Sequence, residues 1–133
     1  MKALPGCAMR RGRKTETAAS RRARKEFTLS VLERSHCEVQ QIIPHQCGGG
    51  CMDAAHVLPK RYVKKETNLW DEHARLDAMW DTDNALCACR TGHNLLDSAR
   101  HCGVTAADLP EKAVSFAERH GWMFELEREY GVD

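Results

Sequence analysis

Residues 84–101 read NALCACRTGHNLLDSARH and residues 53–60 read DAAHVLPK, and these two stretches decide the fold. The first opens with small and apolar residues typical of a strand or turn, and it becomes helical near Gly92. The second is a short strand-like segment that Pro59 closes. Two short extended pieces and one helix predict a small α+β core, with helices on both sides of it in the chain.

The length and composition favour a single domain. The chain has 133 residues, of which 42% are hydrophobic and 29% charged, enough for one modest core. No apolar run approaches the ~20 residues that a membrane-spanning helix needs, and the basic N-terminus lacks the apolar segment of a secretory signal. We therefore expect a soluble, cytoplasmic protein that does not associate with membranes.

Charge is segregated along the chain. Residues 1–36 carry ten Lys or Arg against three Asp or Glu, whereas the remainder carries ten against sixteen. A basic N-terminal region of this kind is typical of a protein that binds nucleic acid. The residues expected to neutralise backbone phosphates are Arg21, Arg22, Arg24, Lys25, Lys60, Arg61, Lys64 and Lys65.

The pattern divides the chain into four parts. Residues 1–15 are expected to form a disordered basic arm, and residues 16–36 a basic amphipathic helix. Residues 37–102 are expected to form the core, with an inserted helix near 68–80. Residues 103–133 are expected to form a C-terminal helix, begun near Pro110 and stopped by Gly121, followed by an extended cover.

Cysteine is abundant for a chain of this length. Seven Cys and seven His occur, and all the cysteines except Cys7 lie in the central part. An odd number of cysteines without a secretory signal argues against a disulfide framework and for thiolate metal ligands with spare thiols. For Cys7, Cys87 and Cys102, the role of a small buried hydrophobic residue is an equal alternative.

Three pieces carry the chemistry when taken together. They are a loop with Cys37 and Cys47, the stretch DAAHVLPK, and the stretch NALCACRTGH, which contains Asn84, Cys89 and His93. In this order and spacing they resemble the HNH nucleases, which have a ββα-metal core, and small phage-encoded members in particular. The resemblance covers roughly residues 34–101.

The resemblance implies a role for each polar residue. His56 would be the base that deprotonates water, because a neutral imidazole can accept a proton at physiological pH. Asn84 would orient the loop that carries His56 through its amide, which both donates and accepts hydrogen bonds. His93 would bind the catalytic divalent ion, Mg²⁺ or Mn²⁺, with Zn²⁺ or Ni²⁺ as alternatives.

The chain departs from the family pattern at Ala55. Family members usually have Asp or His there as a second metal ligand, so this ligand must come from elsewhere in the chain. Asp97 follows His93 by four residues and so lies about one helical turn away on the same face, which makes it the better geometric candidate. Asp53 lies about 7 Å from position 55 along a strand and would need a bend or a bridging water.

A second departure concerns the structural zinc that the resemblance implies. Cys37 and Cys89 match ligand positions and Cys47 is a good third ligand, but Gly92 stands where the family has its fourth. A tetrahedral site needs four ligands. Cys51, His45 or Cys87 could supply the missing one, and Cys51 is the preferred candidate.

These features together predict an HNH endonuclease that hydrolyses DNA phosphodiester bonds by nicking or low-specificity cleavage. DNA would be its main partner, with other phage proteins as further partners and the host cytoplasm as its location if it is phage-encoded. The alternative is a zinc-stabilised nucleic-acid-binding module with weak or no catalysis. A purely structural helical protein with scattered thiols is the third hypothesis.

Overall fold

The computed structural model describes residues 16–47, 53–98 and 103–132. Within these ranges the protein is α+β, mostly helical, with one two-stranded antiparallel sheet. The helices are α1 (Ala18–Leu32), α2 (Lys60–Glu66), α3 (Glu72–Met79), α4 (Arg90–Asp97), α5 (Glu111–His120) and α6 (Met123–Tyr130). The strands are β1 (Asp53–His56) and β2 (Ala85–Ala88), and short 3₁₀ helices span Glu38–Gln41, Thr82–Asn84 and Ala106–Asp108.

The sheet brings the two decisive stretches of sequence side by side. Strand β1 pairs with β2 so that Asp53 lies opposite Ala88 and His56 opposite Ala85. All four residues of β2 are buried, since α1 covers one face of the sheet and the main core covers the other. His56 therefore ends one strand where the other begins, and α4 follows β2 after a single residue, Cys89.

Helix α1 corresponds to the basic amphipathic helix predicted for residues 16–36. Thr17 caps it by accepting a hydrogen bond from the Ser20 N–H at 3.0 Å. Phe27 and Val31 are buried one turn apart and pack on Ala85 and Cys87 of β2. The predicted basic arm, residues 1–15, lies outside the described residues.

The insertion between the strands holds two helices, whereas the sequence pattern predicts one near 68–80. Helix α3 falls in that range, and its buried residues are Ala78 and Met79. Leu69, an apolar residue that precedes the helix, does not pack in the core, since it is 93% exposed. Helix α2 was missed because its basic residues dominate the pattern. The buried residue of this helix is Val63. At the C-terminal end of the helix, the Thr67 hydroxyl donates a hydrogen bond to the Val63 carbonyl at 2.8 Å.

The extended cover predicted for the end of the chain is wrong. Residues 123–130 form α6, and the buried positions Trp122, Leu126 and Tyr130 recur every four residues. The alternation of Trp122, Phe124 and Leu126 suggested a strand, but Phe124 is 80% exposed. Gly121 ends α5 in the left-handed conformation, with φ 76°, as its position after the helix predicted.

No helix within the described ranges has both the length and the apolar character that crossing a membrane would require.

Candidate functional site: a two-histidine cleft and a Cys/His cluster

His56 and His93, far apart in sequence, line the same cleft. The cleft has a volume of about 500 Å³ and lies between the end of β1, the start of α2, and helices α4 and α6. Its polar lining comes from His56, Lys60, Arg61, His93, Asp97, Glu129 and Tyr130. Both histidines and two carboxylates, those of Asp97 and Glu129, thus line a single cleft.

The His56 ring is fixed by aromatic neighbours and by one hydrogen bond. It stacks on Phe27 with ring centroids 4.9 Å apart and meets the edge of Trp80 at 5.5 Å. Its Nε2 lies 3.0 Å from the Met79 carbonyl oxygen. Because a carbonyl can only accept, Nε2 carries the proton and Nδ1 keeps its lone pair.

The surroundings of His56 favour its neutral form. Burial lowers the pKa of the imidazole, the hydrogen bond to Met79 opposes this, and the positive charges of Lys60 and His93 lower the pKa further. The net result is a pKa below the usual value of histidine. A neutral imidazole with an unprotonated Nδ1 can accept a proton near neutral pH.

Asn84 holds the chain that follows His56. Its side chain is buried, and its Oδ1 accepts the Leu58 N–H at 2.8 Å while its Nδ2 donates to the Leu58 carbonyl at 3.1 Å. The Asn84 backbone carbonyl also accepts the Val57 N–H at 3.0 Å. The amide thus uses both its donor and its acceptor on the turn that leaves β1.

His93 is oriented by Asp53. His93 Nδ1 lies 2.9 Å from Asp53 Oδ2, and the Arg90 guanidinium approaches the same oxygen at 3.1 Å. The hydrogen bond from His93 lowers the pKa of Asp53, burial opposes it, and Arg90 lowers it further, so the net pKa is below the usual value. With Nδ1 donating to a carboxylate, Nε2 of His93 is the nitrogen left to bind a metal.

The two carboxylates named from the sequence occupy different positions. Asp53 contacts His93 Nδ1 directly, because it lies opposite Ala88 at the end of β2 next to α4. Asp97, the better candidate on helical spacing, is exposed and lines the cleft one turn further along α4. Asp53 therefore orients the His93 ring through Nδ1, whereas Asp97 is the one of the two carboxylates that lines the cleft.

A second cluster has the donor set of a metal site. Cys37, His45, Cys47 and Cys89 offer ligand atoms that all lie within 4.8 Å of one another. Cys37 Sγ is 3.8 Å from Cys89 Sγ, and His45 Nε2 is 3.3 Å from Cys89 Sγ and 3.7 Å from Cys37 Sγ. Ligands on a tetrahedral zinc with Zn–S of ~2.3 Å would be about 3.5–3.8 Å apart, so these residues fit zinc.

His45, one of the three candidates for the fourth ligand, is the fourth donor of this cluster. Its Nδ1 donates to the Ile43 carbonyl at 2.7 Å, which leaves Nε2 for the thiols. Gly92 provides the space: a Cβ there would meet Cys37 Sγ at 3.0 Å and His45 Cε1 at 3.3 Å. The absence of a side chain at Gly92 therefore leaves room for the His45 ring beside the Cys37 and Cys89 thiols.

Cys51 and Cys87 were the other two candidates for the fourth ligand. Cys51 lies outside the described residues. Cys87 is disulfide-bonded and packs with Phe27, Val31 and Ala85 on the opposite face of the sheet, so it is not a ligand. Cys37, Cys47 and Cys89 are thiols, in keeping with the expectation of thiolate ligands, but the disulfide at Cys87 was not expected.

Cys89 connects the Cys/His cluster to the cleft. It is the N-cap of α4, and its Sγ accepts the Gly92 N–H at 3.2 Å. His93 is the next residue of the helix, and its own N–H bonds to the Cys89 carbonyl at 2.9 Å. A metal held by Cys89 would therefore fix the first turn of the helix that carries His93.

The predicted phosphate-binding residues divide into two groups. Lys60 and Arg61 line the cleft, and Lys60 Nζ lies 5.3 Å from the centroid of the Trp80 ring. Lys64 and Lys65 are exposed on the same helix. On α1, Arg22 and Lys25 are exposed, Arg24 pairs with Glu16 at 2.8 Å, and Arg21 donates to the Glu16 backbone carbonyl.

Glu38 is a structural residue that the sequence analysis missed. Its carboxylate pairs with Arg34 at 2.6 Å and accepts the Cys87 N–H at 2.8 Å. Burial raises the pKa of Glu38, but the Cys87 N–H and Arg34 lower it by more.

Arg34 also donates hydrogen bonds to the Thr82 and Ala85 carbonyls. The pair of Arg34 and Glu38 therefore fixes the 3₁₀ turn of the Cys37 loop against β2. The i,i+4 spacing of Arg34 and Glu38 is the one signal in the sequence.

Compared with protein-family models, with curated proteins and with solved structures, the chain matches none.

Proposed function

We propose that this protein is a metal-dependent endonuclease that hydrolyses DNA phosphodiester bonds, with β1, β2 and α4 as a ββα-metal core of the HNH type. The observation that carries the proposal is that His56 and His93, from two separate elements, line one cleft. One imidazole has the environment of a base and the other the environment of a metal ligand.

In this proposal His56 is the general base. Its Nδ1 takes a proton from the attacking water as the new oxygen–phosphorus bond forms. The bond from phosphorus to the 3′ oxygen breaks, and that oxygen takes up a proton from solvent. The donor bond from Nε2 to Met79 keeps the ring in the required tautomer, and Asn84 holds the backbone that follows it.

His93 would hold the divalent ion through Nε2, with Asp97, which lines the same cleft, as the candidate carboxylate ligand. A carboxylate and a neutral imidazole suit Mg²⁺ or Mn²⁺, which commonly keep several waters and take few protein ligands. When bound, the ion would stabilise negative charge on the phosphate and the departing oxygen. Asp53 would act behind this ligand, because its hydrogen bond to Nδ1 fixes the direction of the His93 ring.

The basic side chains would bind the DNA backbone. Lys60 and Arg61 line the cleft and could contact phosphates beside the cleaved bond, while Arg22 and Lys25 add positive charge on α1. Such contacts position the duplex and carry no base information, which fits nicking or low-specificity cleavage. Zinc at the Cys/His cluster would stabilise the Cys37 loop and the start of α4.

The test is cleavage of supercoiled plasmid with Mg²⁺ or Mn²⁺ by the wild-type protein, His56→Ala and His73→Ala. His73 is the matched control because it is exposed on α3, away from the residues that line the cleft. We expect the wild type and His73→Ala to nick the plasmid alike, EDTA to abolish nicking, and His56→Ala to lose at least about 100-fold in rate. Equal rates for His56→Ala and wild type would refute the assignment.

A second candidate function is a zinc-stabilised nucleic-acid-binding module without catalysis. It is favoured by one contrast: within the described ranges, the Cys/His cluster is the one group of at least three potential ligands that converges closely enough to hold an ion. Tightly bound zinc, retention on DNA and no cleavage in any divalent ion would support this alternative.

A further inference from the structure

The two residues that follow His56 have all four backbone polar groups hydrogen-bonded. Asn84 accounts for three of them: the Val57 N–H, the Leu58 N–H and the Leu58 carbonyl. The fourth, the Val57 carbonyl, accepts a hydrogen bond from the Tyr130 hydroxyl at 2.6 Å. Tyr130 therefore completes a set of contacts that Asn84 alone leaves open.

Tyr130 is held firmly at the end of α6. It is 5% exposed, and Leu126 one turn earlier is fully buried. The next residue, Gly131, accepts the Ala106 N–H at 3.1 Å, which ties the end of the helix to a second segment. Burial raises the pKa of Tyr130, so its hydroxyl keeps the proton that it donates.

The bonded carbonyl lies one residue after His56, and Tyr130 lines the same cleft as the two histidines. Phe27 and Trp80 contact the His56 ring, whereas Asn84 and Tyr130 hold the backbone that follows it. The Val57 carbonyl belongs to the Val57–Leu58 peptide, so a shift of that peptide would move the backbone at Val57 and, through it, the position of the adjoining His56 imidazole in the cleft. Misplacement of a catalytic group by about 1 Å can cost about 100-fold in rate.

We propose that Tyr130 is a positioning residue for His56: through the Val57 carbonyl, the last helix of the chain fixes the direction in which the imidazole presents Nδ1 to the cleft. This inference rests on the proposed nuclease function. It assigns α6 a part in the reaction, although none of its residues was a candidate on sequence grounds.

The test uses Tyr130→Phe, which keeps the ring and removes the hydroxyl, in the full-length protein. Tyr62→Phe is the matched control, because Tyr62 packs its ring on Trp122 at 5.8 Å and lies outside the lining of the cleft. Plasmid nicking gives kcat and KM at saturating Mn²⁺, and NMR follows the ring protons of His56 as a function of pH.

For Tyr130→Phe we expect kcat to fall about tenfold or more with KM unchanged within about twofold, and the His56 ring signals to shift and titrate differently. Tyr62→Phe should match the wild type in both measurements. Replacement of Tyr130 by 4-aminophenylalanine, which restores a donor, should recover most of kcat.

Two outcomes would overturn the inference: a kcat for Tyr130→Phe within about twofold of wild type, or unchanged His56 ring signals in that variant. The NMR measurement does not depend on cleavage. If the wild type does not cut DNA, the proposed function fails, whereas the effect of Tyr130 on the His56 ring is still decided.

Discussion

Replacement of Asn84 by alanine should destabilise the protein strongly, because the amide makes two hydrogen bonds to a buried turn. Asn84 is 1% exposed, Leu58 is fully buried, and both the N–H and the carbonyl of Leu58 bond to the Asn84 side chain. Each buried backbone group left without a partner costs about 1–3 kcal/mol. We therefore expect Asn84→Ala to lower the free energy of unfolding by about 3 kcal/mol.

This loss converts to a thermal shift through the entropy of unfolding. At about 2.1 cal/mol/K per residue, a chain of 133 residues gives about 0.28 kcal/mol/K. A loss of about 3 kcal/mol should then lower the melting temperature by about 10 °C. Differential scanning calorimetry would measure it, with urea unfolding as a second determination.

Asn94→Ala is the matched control, because Asn94 is exposed on α4. It should change the free energy of unfolding by less than about 0.5 kcal/mol. If Asn84→Ala melted within about 2 °C of Asn94→Ala, the argument that Asn84 holds the turn after His56 would be refuted.

Three further predictions concern the Cys/His cluster, the last helix and the pH dependence of stability. Gly92→Ala should weaken zinc binding, measured by competition with a chelator, because the added Cβ would lie 3.0 Å from Cys37 Sγ; equal zinc affinity would contradict the packing described. Leu126→Ala should lower the free energy of unfolding in urea by about 2–5 kcal/mol, because Leu126 is fully buried. Phe124→Ala should lower it by less than about 0.5 kcal/mol, because Phe124 is 80% exposed. Similar losses for both variants would favour an extended conformation of residues 122–127. The free energy of unfolding should decrease as the pH falls below about 6.5, because the unfolded chain takes up a proton that the lowered pKa of His56 resists in the folded state. His56→Gln should reduce this slope and His73→Gln should not; a steeper slope in His56→Gln would reverse the sign of the argument.

The sequence was most informative where spacing along one element decides the structure. Phe27 and Val31 lie on one face of α1, and Gly121 follows the last turn of α5, so local rules place both. Local rules failed at α6, because three alternating apolar residues fit a strand as well as part of a helix. Trp122, Leu126 and Tyr130 are buried at intervals of four residues, and this spacing is that of a helix and not of a strand.

The candidate site depended on contacts that spacing alone cannot give. His56, Asn84 and His93 were named from the family resemblance, and Asp97 was preferred over Asp53 because it lies one helical turn from His93, but spacing gave no sign that Asp53 reaches the His93 ring. The pairing of Asp53 with Ala88 brings that carboxylate to His93 across the sheet. Likewise, His45 joins the Cys/His cluster because its loop packs against Gly92. The sequence does not predict this contact, because it depends on the path of the loop and not on a helical or strand period.

The most direct test of the account is whether one bound cation lies close to both His56 and His93. Mn²⁺ would be titrated into the zinc-loaded protein while NMR follows the histidine ring protons, since a paramagnetic ion broadens signals from nearby nuclei. We predict that the signals of His56 and His93 broaden first, that exposed His73 stays sharp, and that His93→Ala removes the effect on His56. Broadening at His93 with a sharp His56 signal would contradict the account, because the two imidazoles would then not serve one metal centre.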